Sequence, residues 1–354
     1  MSPMAAPPQG VRTIPSHSAV LPRLERSILL YGVLFIVCLG LGYPTLNRYD
    51  PRKPLPDAGT YSKLATDGPG AVTGHFRFRV LVPWLARPLY RLADGHVGSW
   101  DPLLLAFLGV NSFFVAGTAL LITRIGYAHL GDYPTALAGA ALYLLNFATP
   151  NLLLSGLIDS AESFFLLAMV LSLYFERLWL LPLFGVLGAF TKESLVPFSV
   201  AIAGTWWLVA LNSGQRRRRA LLWTIVMALF ELLSLMLLQF SIAGHLIWPW
   251  NFAQTLNSHA DHVSKFFYAL VDRNNWYILI WLLPLGLLRI RRFPRPWVAA
   301  CAVACVTAWL LSAYHGGSPG GVGRYIFNIA GPLLSLSTAV LLCDPGPARH
   351  QPPA

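Results

Sequence analysis

Long apolar runs are the feature that most constrains how this sequence can fold. Ten such runs recur along the chain, and several approach the roughly 20 residues that an α-helix needs to cross a bilayer. A chain that is 55% hydrophobic and only 12% charged, with a mean hydropathy of +0.56, is excluded from the soluble globular class. We therefore expect an all-α polytopic transmembrane bundle of about ten spans: Ser27 to Tyr43, Leu103 to Thr123, Thr135 to Leu153, Ser160 to Arg177, Leu180 to Phe190, Leu195 to Leu211, Ala220 to Ile242, Trp276 to Leu288, Pro296 to Tyr314 and Ile326 to Cys343.

Clusters of arginine predict the orientation of these spans. The densest are Arg216 to Arg219 and Arg289 to Arg295, and the excess of basic residues on the inner side of membrane proteins places both in the cytoplasm. An even number of spans then places both termini there. The net charge of +11 is mostly this topology signal, so nucleic acid is not an expected partner. We expect an integral protein of a bacterial cytoplasmic (inner) membrane, in contact with membrane lipids.

The predicted domain organisation is a single membrane domain, residues 21–343, between a disordered cytoplasmic tail (1–20) and a second cytoplasmic tail (344–354). Its long connections, 44–102, 243–275 and 315–324, all fall on the outer, non-cytoplasmic side. Because long ordered loops tend to carry function, we expect the working surface there. Within the first loop, the segment RVLVPWLARPLYRLADG predicts a helix lying in the membrane interface, with leucines on one face: Leu81, Leu85, Leu89 and Leu92.

Charged residues recur at the predicted outer ends of the spans. Asp159 and Glu162 are three residues apart on one helix face, where burying two carboxylates is costly unless a cation or another donor meets them. Arg is suited to binding phosphate because its planar fork donates two parallel hydrogen bonds. The sequence therefore predicts a site for an anionic ligand that is approached from the membrane.

Three further polar residues have open interpretations. His259 and His262, with their i, i+3 spacing, either present two imidazoles to a metal or line a polar helix face. Glu231 lies deep in an apolar run, where we expect a neutral or hydrogen-bonded carboxyl between helices, with Ser234 as its partner. A proton-coupled transporter would also use such a carboxyl.

The order of these motifs resembles the GT-C superfamily of polytopic glycosyltransferases, which take sugars from polyprenyl-phosphate carriers. The first span is followed by a long outer loop that contains an acid and a helical tyrosine. After this loop come an acidic motif (DSAE), a TKE motif (Thr191 to Glu193) and an RY pair before the last span. One departure is that the first-loop acid stands alone, without the paired Asp-Glu of several GT-C families. The resemblance implies catalytic roles for Asp57 and Asp159, with Asp50 as an alternative to Asp57. It places around the substrate Tyr61, Arg77, Arg79, Glu162, Lys192, Glu193, Arg324 and Tyr325.

The function implied by the resemblance is transfer of a hexose or pentose from a polyprenyl-phosphate donor to a hydroxyl of a glycan, lipid or protein acceptor. Asp57 would act as general base in one inverting displacement, while Lys192, Arg324 and Arg77 or Arg79 hold the phosphate. A divalent cation, Mg²⁺ or Mn²⁺, is compatible with Asp57 or Asp159. The alternatives are a polytopic transporter or flippase of a lipid-linked or anionic substrate, and a non-catalytic scaffold of an envelope assembly.

Overall fold

The computed structural model describes residues 24–48, 57–98, 100–210, 214–246, 273–314 and 321–343, with four isolated positions between 247 and 272. Every regular element in these ranges is helical, which confirms the all-α class. The α-helices are α1 (Leu24–Arg48), α2 (Ala58–Thr66), α3 (Leu81–Ala93), α4 (Pro102–Leu130), α5 (Tyr133–Leu145), α6 (Asp159–Tyr174), α7 (Leu180–Thr191), α8 (Leu195–Ala210), α9 (Gly214–Ala243), α10 (Arg273–Leu279), α11 (Leu282–Arg289), α12 (Arg295–Tyr314) and α13 (Gly321–Cys343). Short 3₁₀ helices cover Pro69–Ala71, Gly74–Phe78 and Ile290–Arg292.

Helices α4 and α13 form the centre of the bundle. The most apolar stretch of α4 is 72% buried and that of α13 is 78% buried, whereas α1 and α9 bury only 22% and lie at the periphery. Helix α4 packs against α1, α3, α5 and α6, and α13 packs against α5, α6, α10, α11 and α12. The start of α4 is fixed by Asp101, whose carboxylate accepts hydrogen bonds from the Leu103 and Leu104 amides at 2.8 and 3.1 Å. Gly131, with φ +71°, ends the helix in the left-handed region.

Within the residues that the structure describes, five helices are long and apolar enough to cross a bilayer: α1, α4, α9, α12 and α13. The prediction of about ten spans is not confirmed. Helices α5 to α8 have 12–16 residues, or about 18–24 Å of length against about 30 Å of hydrocarbon. The run predicted from Thr135 breaks at Asn146, before a π-helical turn at Thr149–Leu153. The run predicted from Trp276 is divided into α10 and α11.

The helix predicted in the first outer loop is present as α3. Its buried residues are Val82, Pro83 and Ala86, and the helix packs against α4, α2 and α7. Three of the four leucines of the predicted face are exposed, Leu85, Leu89 and Leu92 at 43%, 40% and 73%, whereas Leu81 is partly buried against the core. An exposed row of leucines on a helix fits contact with lipid.

Several predictions concern residues outside the described ranges. These are the two tails beyond residues 24 and 343, the second outer loop from 247 onward apart from its four described positions, and the Gly-rich turn 315–320. Asp50, His259 and His262 also lie outside them.

Candidate functional site

Charged residues from five separate segments meet at one end of the bundle. The segments are the start of α2, the end of the 3₁₀ helix Gly74–Phe78, the first turn of α6, the α7–α8 junction and the first two turns of α13. Nine of the ten predicted site residues lie in this cluster, which we call the charged cluster: Asp57, Tyr61, Arg79, Asp159, Glu162, Lys192, Glu193, Arg324 and Tyr325. These segments are far apart in sequence, so the cluster depends on how the helices pack.

Lys192 is the centre of a buried network at the start of α6. Its Nζ donates to Asp159 Oδ1 at 2.7 Å and to Glu162 Oε2 at 3.4 Å, and it lies 4.2 Å from the centre of the Tyr325 ring. All three charged side chains are at most 4% exposed. Two carboxylates in the first turn of a helix also interact favourably with its dipole. The ammonium group supplies the cation that the paired acids of α6 require.

Arg79 is bound by a second network at the α7–α8 junction. Its Nε donates to Glu193 Oε2 at 2.9 Å, its Nη2 donates to Glu193 Oε1, and its Nη1 donates to the Tyr61 hydroxyl at 2.9 Å. The guanidinium also lies 4.9 Å from the centre of the Phe76 ring. A fork-to-fork pair of this kind fixes the geometry of both partners. Each of the three guanidinium nitrogens donates one hydrogen bond within the protein, so Arg79 joins these segments together.

Arg324 is held more loosely than the other two cations. Its Nη1 lies 3.6 Å from Asp159 Oδ2 and 3.9 Å from Asp57 Oδ2, both beyond hydrogen-bond distance. Its side chain is 19% exposed. Asp57 is the N-cap residue of α2, yet its side chain makes no capping hydrogen bond and is 30% exposed. The pair therefore forms the accessible side of the charged cluster.

The charges of the cluster nearly balance. Four carboxylates (Asp57, Asp159, Glu162, Glu193) against three cations (Lys192, Arg79, Arg324) give 3 − 4 = −1. The exposed fractions separate the acids into two kinds: Asp57 and Glu193 are 30% and 27% exposed, while Asp159 and Glu162 are 3% and 0% exposed. Only the first kind is accessible to a ligand.

The pKa values of the groups outside the spans follow from these partners. Burial alone would raise the pKa of Glu193, but the Arg79 guanidinium outweighs burial and lowers it to about 2. Burial alone would lower the pKa of Lys192, but Asp159 and Glu162 outweigh it and raise that pKa well above its usual value. Burial raises the pKa of Tyr61 to about 12, against the opposing effect of Arg79. Glu193 and Lys192 are thus charged, and Tyr61 is neutral, at neutral pH.

Sequence reasoning missed two residues that complete the cluster. Ser194 Oγ donates to Glu162 Oε1 at 2.6 Å, and Asn328 Nδ2 donates to Glu162 Oε2 at 2.8 Å. Asn328 follows Arg324 by four residues on α13, and this i, i+4 spacing on one helix face is a signal that would have found it. Ser194 has no such signal, because a single serine after a charged pair is common in any loop.

Arg77 is the one predicted site residue that the structure places apart from the charged cluster. Its guanidinium lies 4.8 Å from the centre of the Phe78 ring, whereas Arg79 two residues later faces Glu193. In a tight 3₁₀ turn, side chains two positions apart point in different directions. Only one of the two arginines can therefore reach the cluster. Of the two arginines that the sequence offered as alternative phosphate ligands, only Arg79 joins the cluster, and there it is paired with Glu193.

The donor set of the charged cluster does not fit a divalent cation well. Asp57 and Asp159 are the predicted ligands, and the space that both face holds the Arg324 guanidinium. Within the described residues no group of three or more His, Cys, Asp or Glu side chains has a geometry that could hold a metal ion. Mg²⁺ or Mn²⁺ stays a prediction, and the chemistry below uses none.

Comparison with known proteins adds no relative to this geometry: no family model, no curated protein and no solved structure matches the chain.

Proposed function

We propose that the protein is a membrane glycosyltransferase that moves a sugar from a polyprenyl-phosphate donor to an acceptor hydroxyl. The observation that carries this proposal is the position of Arg324, a partly exposed and loosely held cation beside the accessible carboxylate of Asp57. A cation and a base side by side are the two groups that a displacement with a phosphate leaving group requires. The GT-C resemblance supplies the substrate class.

Asp57 is the proposed general base. The acceptor hydroxyl donates its proton to the Asp57 carboxylate while its oxygen bonds to the anomeric carbon. Two observations support Asp57 over the other acids: its side chain is 30% exposed, and it makes no capping hydrogen bond with α2. Asp159 and Glu162 are buried beneath it, where an acceptor does not reach them.

Arg324 is the proposed partner of the leaving phosphate. As the bond between the anomeric carbon and the phosphate oxygen breaks, negative charge builds up on that oxygen, and a guanidinium stabilises it more than it stabilises the substrate. Because the Arg324 contacts to Asp57 and Asp159 exceed hydrogen-bond distance, a phosphate can take those donors without breaking a tight pair. One displacement from the opposite side inverts the anomeric carbon.

A buried network supports the pair of Asp57 and Arg324. It consists of Lys192, Asp159 and Glu162. Asp159 uses Oδ1 for Lys192 and turns Oδ2 toward Arg324, so it places the guanidinium at the accessible side of the cluster. This revises the sequence-based proposal for two residues. Lys192 holds the buried acids together and does not hold the carrier phosphate, and Asp159 positions Arg324.

We further propose that the charged cluster lies on the outer face of a GT-C-like bundle of about ten spans. In this bundle, α5 to α8 and the α10–α11 pair add further spans to the five long helices. Helix α8 begins beside the cluster, and α9 follows it, so Arg218 and Arg219 at the start of α9 lie toward the opposite end. Both are exposed. Basic residues mark the cytoplasmic side, which supports an outer position for the cluster and cytoplasmic termini.

The test is transfer of radiolabelled sugar from a polyprenyl-phosphate donor in membranes that contain the wild type or Asp57→Asn. The variant removes the base and keeps the side-chain volume, so transfer is expected to fall by at least about 10²-fold. Asp67→Asn is the matched control, because Asp67 lies at the other end of α2, is exposed and contributes only its backbone to the helix end. Full activity of Asp57→Asn would refute the assignment.

A transporter or flippase is the second candidate, and one observation favours it. The helical breaks after α5 and before α11 meet at Asn146, whose side chain donates to the Ile278 carbonyl at 3.0 Å. Interrupted helices are common where transporters bind their substrates. Purified protein in vesicles that moves labelled lipid-linked sugar across the bilayer, without forming a glycosyl product, would support this candidate against the glycosyltransferase.

A further inference from the structure

Glu231 is a buried carboxyl that the proposed reaction does not use. It lies in the middle of α9, is fully buried, and faces α7 and α8. Its Oε2 lies 2.8 Å from Ser199 Oγ of α8, while its Oε1 has no hydrogen-bond partner in the part of the chain that the structure describes. Ser234, the partner expected from the sequence, donates instead to the backbone carbonyl of Glu231 at 2.9 Å. The polar partner therefore comes from another helix.

The single hydrogen of the Ser199 hydroxyl decides which group donates in its contact with Glu231. Ser199 Oγ lies 2.8 Å from Glu231 Oε2 and also 2.8 Å from the Val196 carbonyl oxygen. A hydroxyl has one hydrogen, and a carbonyl oxygen and an ionised carboxylate are both acceptors only. Both contacts are full hydrogen bonds if Glu231 is protonated, so that its O–H donates to Ser199 and Ser199 donates to Val196.

Among the described residues, the elements that pack against α9 place no charged side chain beside Glu231. The apolar sequences of α7 and α8 contain no titratable side chain at all. On α9 itself the nearest basic residues that the structure describes are Arg218 and Arg219, three turns away. Lys192 and Glu193 lie at the α7–α8 junction, about two turns from both Gly185 and Ser199. The 3₁₀ helix Gly74–Phe78, which also packs against α9, carries His75 and Arg77 but meets α9 near Leu238, two turns beyond Glu231. An unpaired ion in such surroundings is expensive, and a neutral carboxylic acid avoids the cost.

We infer that Glu231 is a proton-binding site, held as the neutral acid, with Ser199 as the acceptor of its proton. This hydrogen bond fixes the rotation of α9 against α8. Gly185 of α7 completes the site, because a Cβ at that position would lie 2.5 Å from Glu231 Oε1. Helix α9 then packs through Leu238 against Phe78 and Val80, the residues on either side of Arg79. The bound proton thus holds in place the helix that supports one wall of the charged cluster.

Infrared difference spectroscopy of the full chain in detergent at neutral pH tests the inference. The wild type minus Glu231→Gln spectrum is expected to show the C=O stretch of a protonated carboxylic acid. Ser199→Ala keeps the acid and removes its acceptor, so the same band should move to higher frequency. Ser234→Ala, whose hydroxyl contacts only the backbone of Glu231, is the control and should leave the band unchanged. A difference spectrum that contains carboxylate stretches alone would show an ionised Glu231 and overturn the inference.

Gly185→Ala provides a second measurement that leaves Glu231 in place. The added methyl group would lie too close to Oε1, so the acid must shift and its C=O band must move. Gly204→Ala on α8 is matched to it, because a Cβ there would meet nothing within 4 Å. If Gly185→Ala folds and both the Gly185→Ala and Ser199→Ala bands coincide with that of the wild type, the acid does not occupy the assigned position and the inference is wrong.

Discussion

Replacing Lys192 with methionine removes the cation of the buried network and keeps the length of the side chain. Asp159 and Glu162, at 3% and 0% exposed, then lose their closest cation. Asp159 keeps Arg324 at 3.6 Å, but Glu162 keeps only the neutral donors Ser194 and Asn328. Removing one partner of a buried pair costs about 3–5 kcal/mol, so we expect the free energy of unfolding to fall by roughly that amount.

The assay is denaturant unfolding in detergent, followed by tryptophan fluorescence. Lys63→Met is the matched control, because Lys63 is exposed on α2 and its replacement should change stability by less than about 0.5 kcal/mol. The double variant Lys192→Met, Asp159→Asn removes both charges of the 2.7 Å pair and should be more stable than the sum of the single variants predicts, by roughly 1–3 kcal/mol. Additivity of the two single changes within about 0.5 kcal/mol would refute the reasoning.

Three further predictions concern acid stability, donor binding and helix packing. Because Arg79 lowers the pKa of Glu193, the wild type should lose stability as the pH falls from about 4.5 to about 2, and Glu193→Gln should show a smaller drop in thermal unfolding, since Asp159, whose pKa Lys192 and Arg324 lower against the effect of burial, still titrates. Arg324→Ala should weaken binding of a polyprenyl-phosphate sugar by about 10- to 100-fold, since a charged hydrogen bond contributes about 1.5–3 kcal/mol; unchanged affinity would contradict the phosphate role. Gly126→Ala should lower the free energy of unfolding by about 1–3 kcal/mol, because its Cβ would lie 2.9 Å from that of Ala136, while Gly32→Ala, with nothing within 4 Å, should not.

Composition and hydropathy predicted the helical class, because burying backbone polar groups in lipid leaves few other folds. They predicted about ten spans, and five of the described helices are long and apolar enough to cross a bilayer. A window average cannot detect a break at a single polar residue such as Asn146, whose side chain accepts from the Ala148 amide at 2.9 Å and so competes with the helix. The division between α10 and α11 falls at Ile280 and Trp281, residues that carry no breaking signal.

The sequence predicted those parts of the candidate site in which a charged residue lies at the end of an apolar run. Asp159 and Lys192 stand out because each would be costly alone at the end of a span, and the structure pairs them. The roles within the cluster were not predictable, since they depend on which cation is tightly held. Arg79 and Arg324 look alike in sequence, but Arg79 forms a two-pronged pair with Glu193, whereas the nearest acid oxygen to Arg324 among the described residues lies at 3.6 Å.

The convergence of distant segments on the charged cluster has a consequence for biogenesis. During synthesis, α2 and α6 are made long before α13. Asp57 and Asp159 therefore lack the Arg324 guanidinium until α13 has packed against the bundle. Lys192 reaches Asp159 earlier, which allows the paired acids of α6 to be neutralised within a partly assembled bundle. The accessible pair of Asp57 and Arg324 would then exist only after the whole described chain has been assembled, so a partly made protein already has its buried charges paired but lacks the proposed reaction centre.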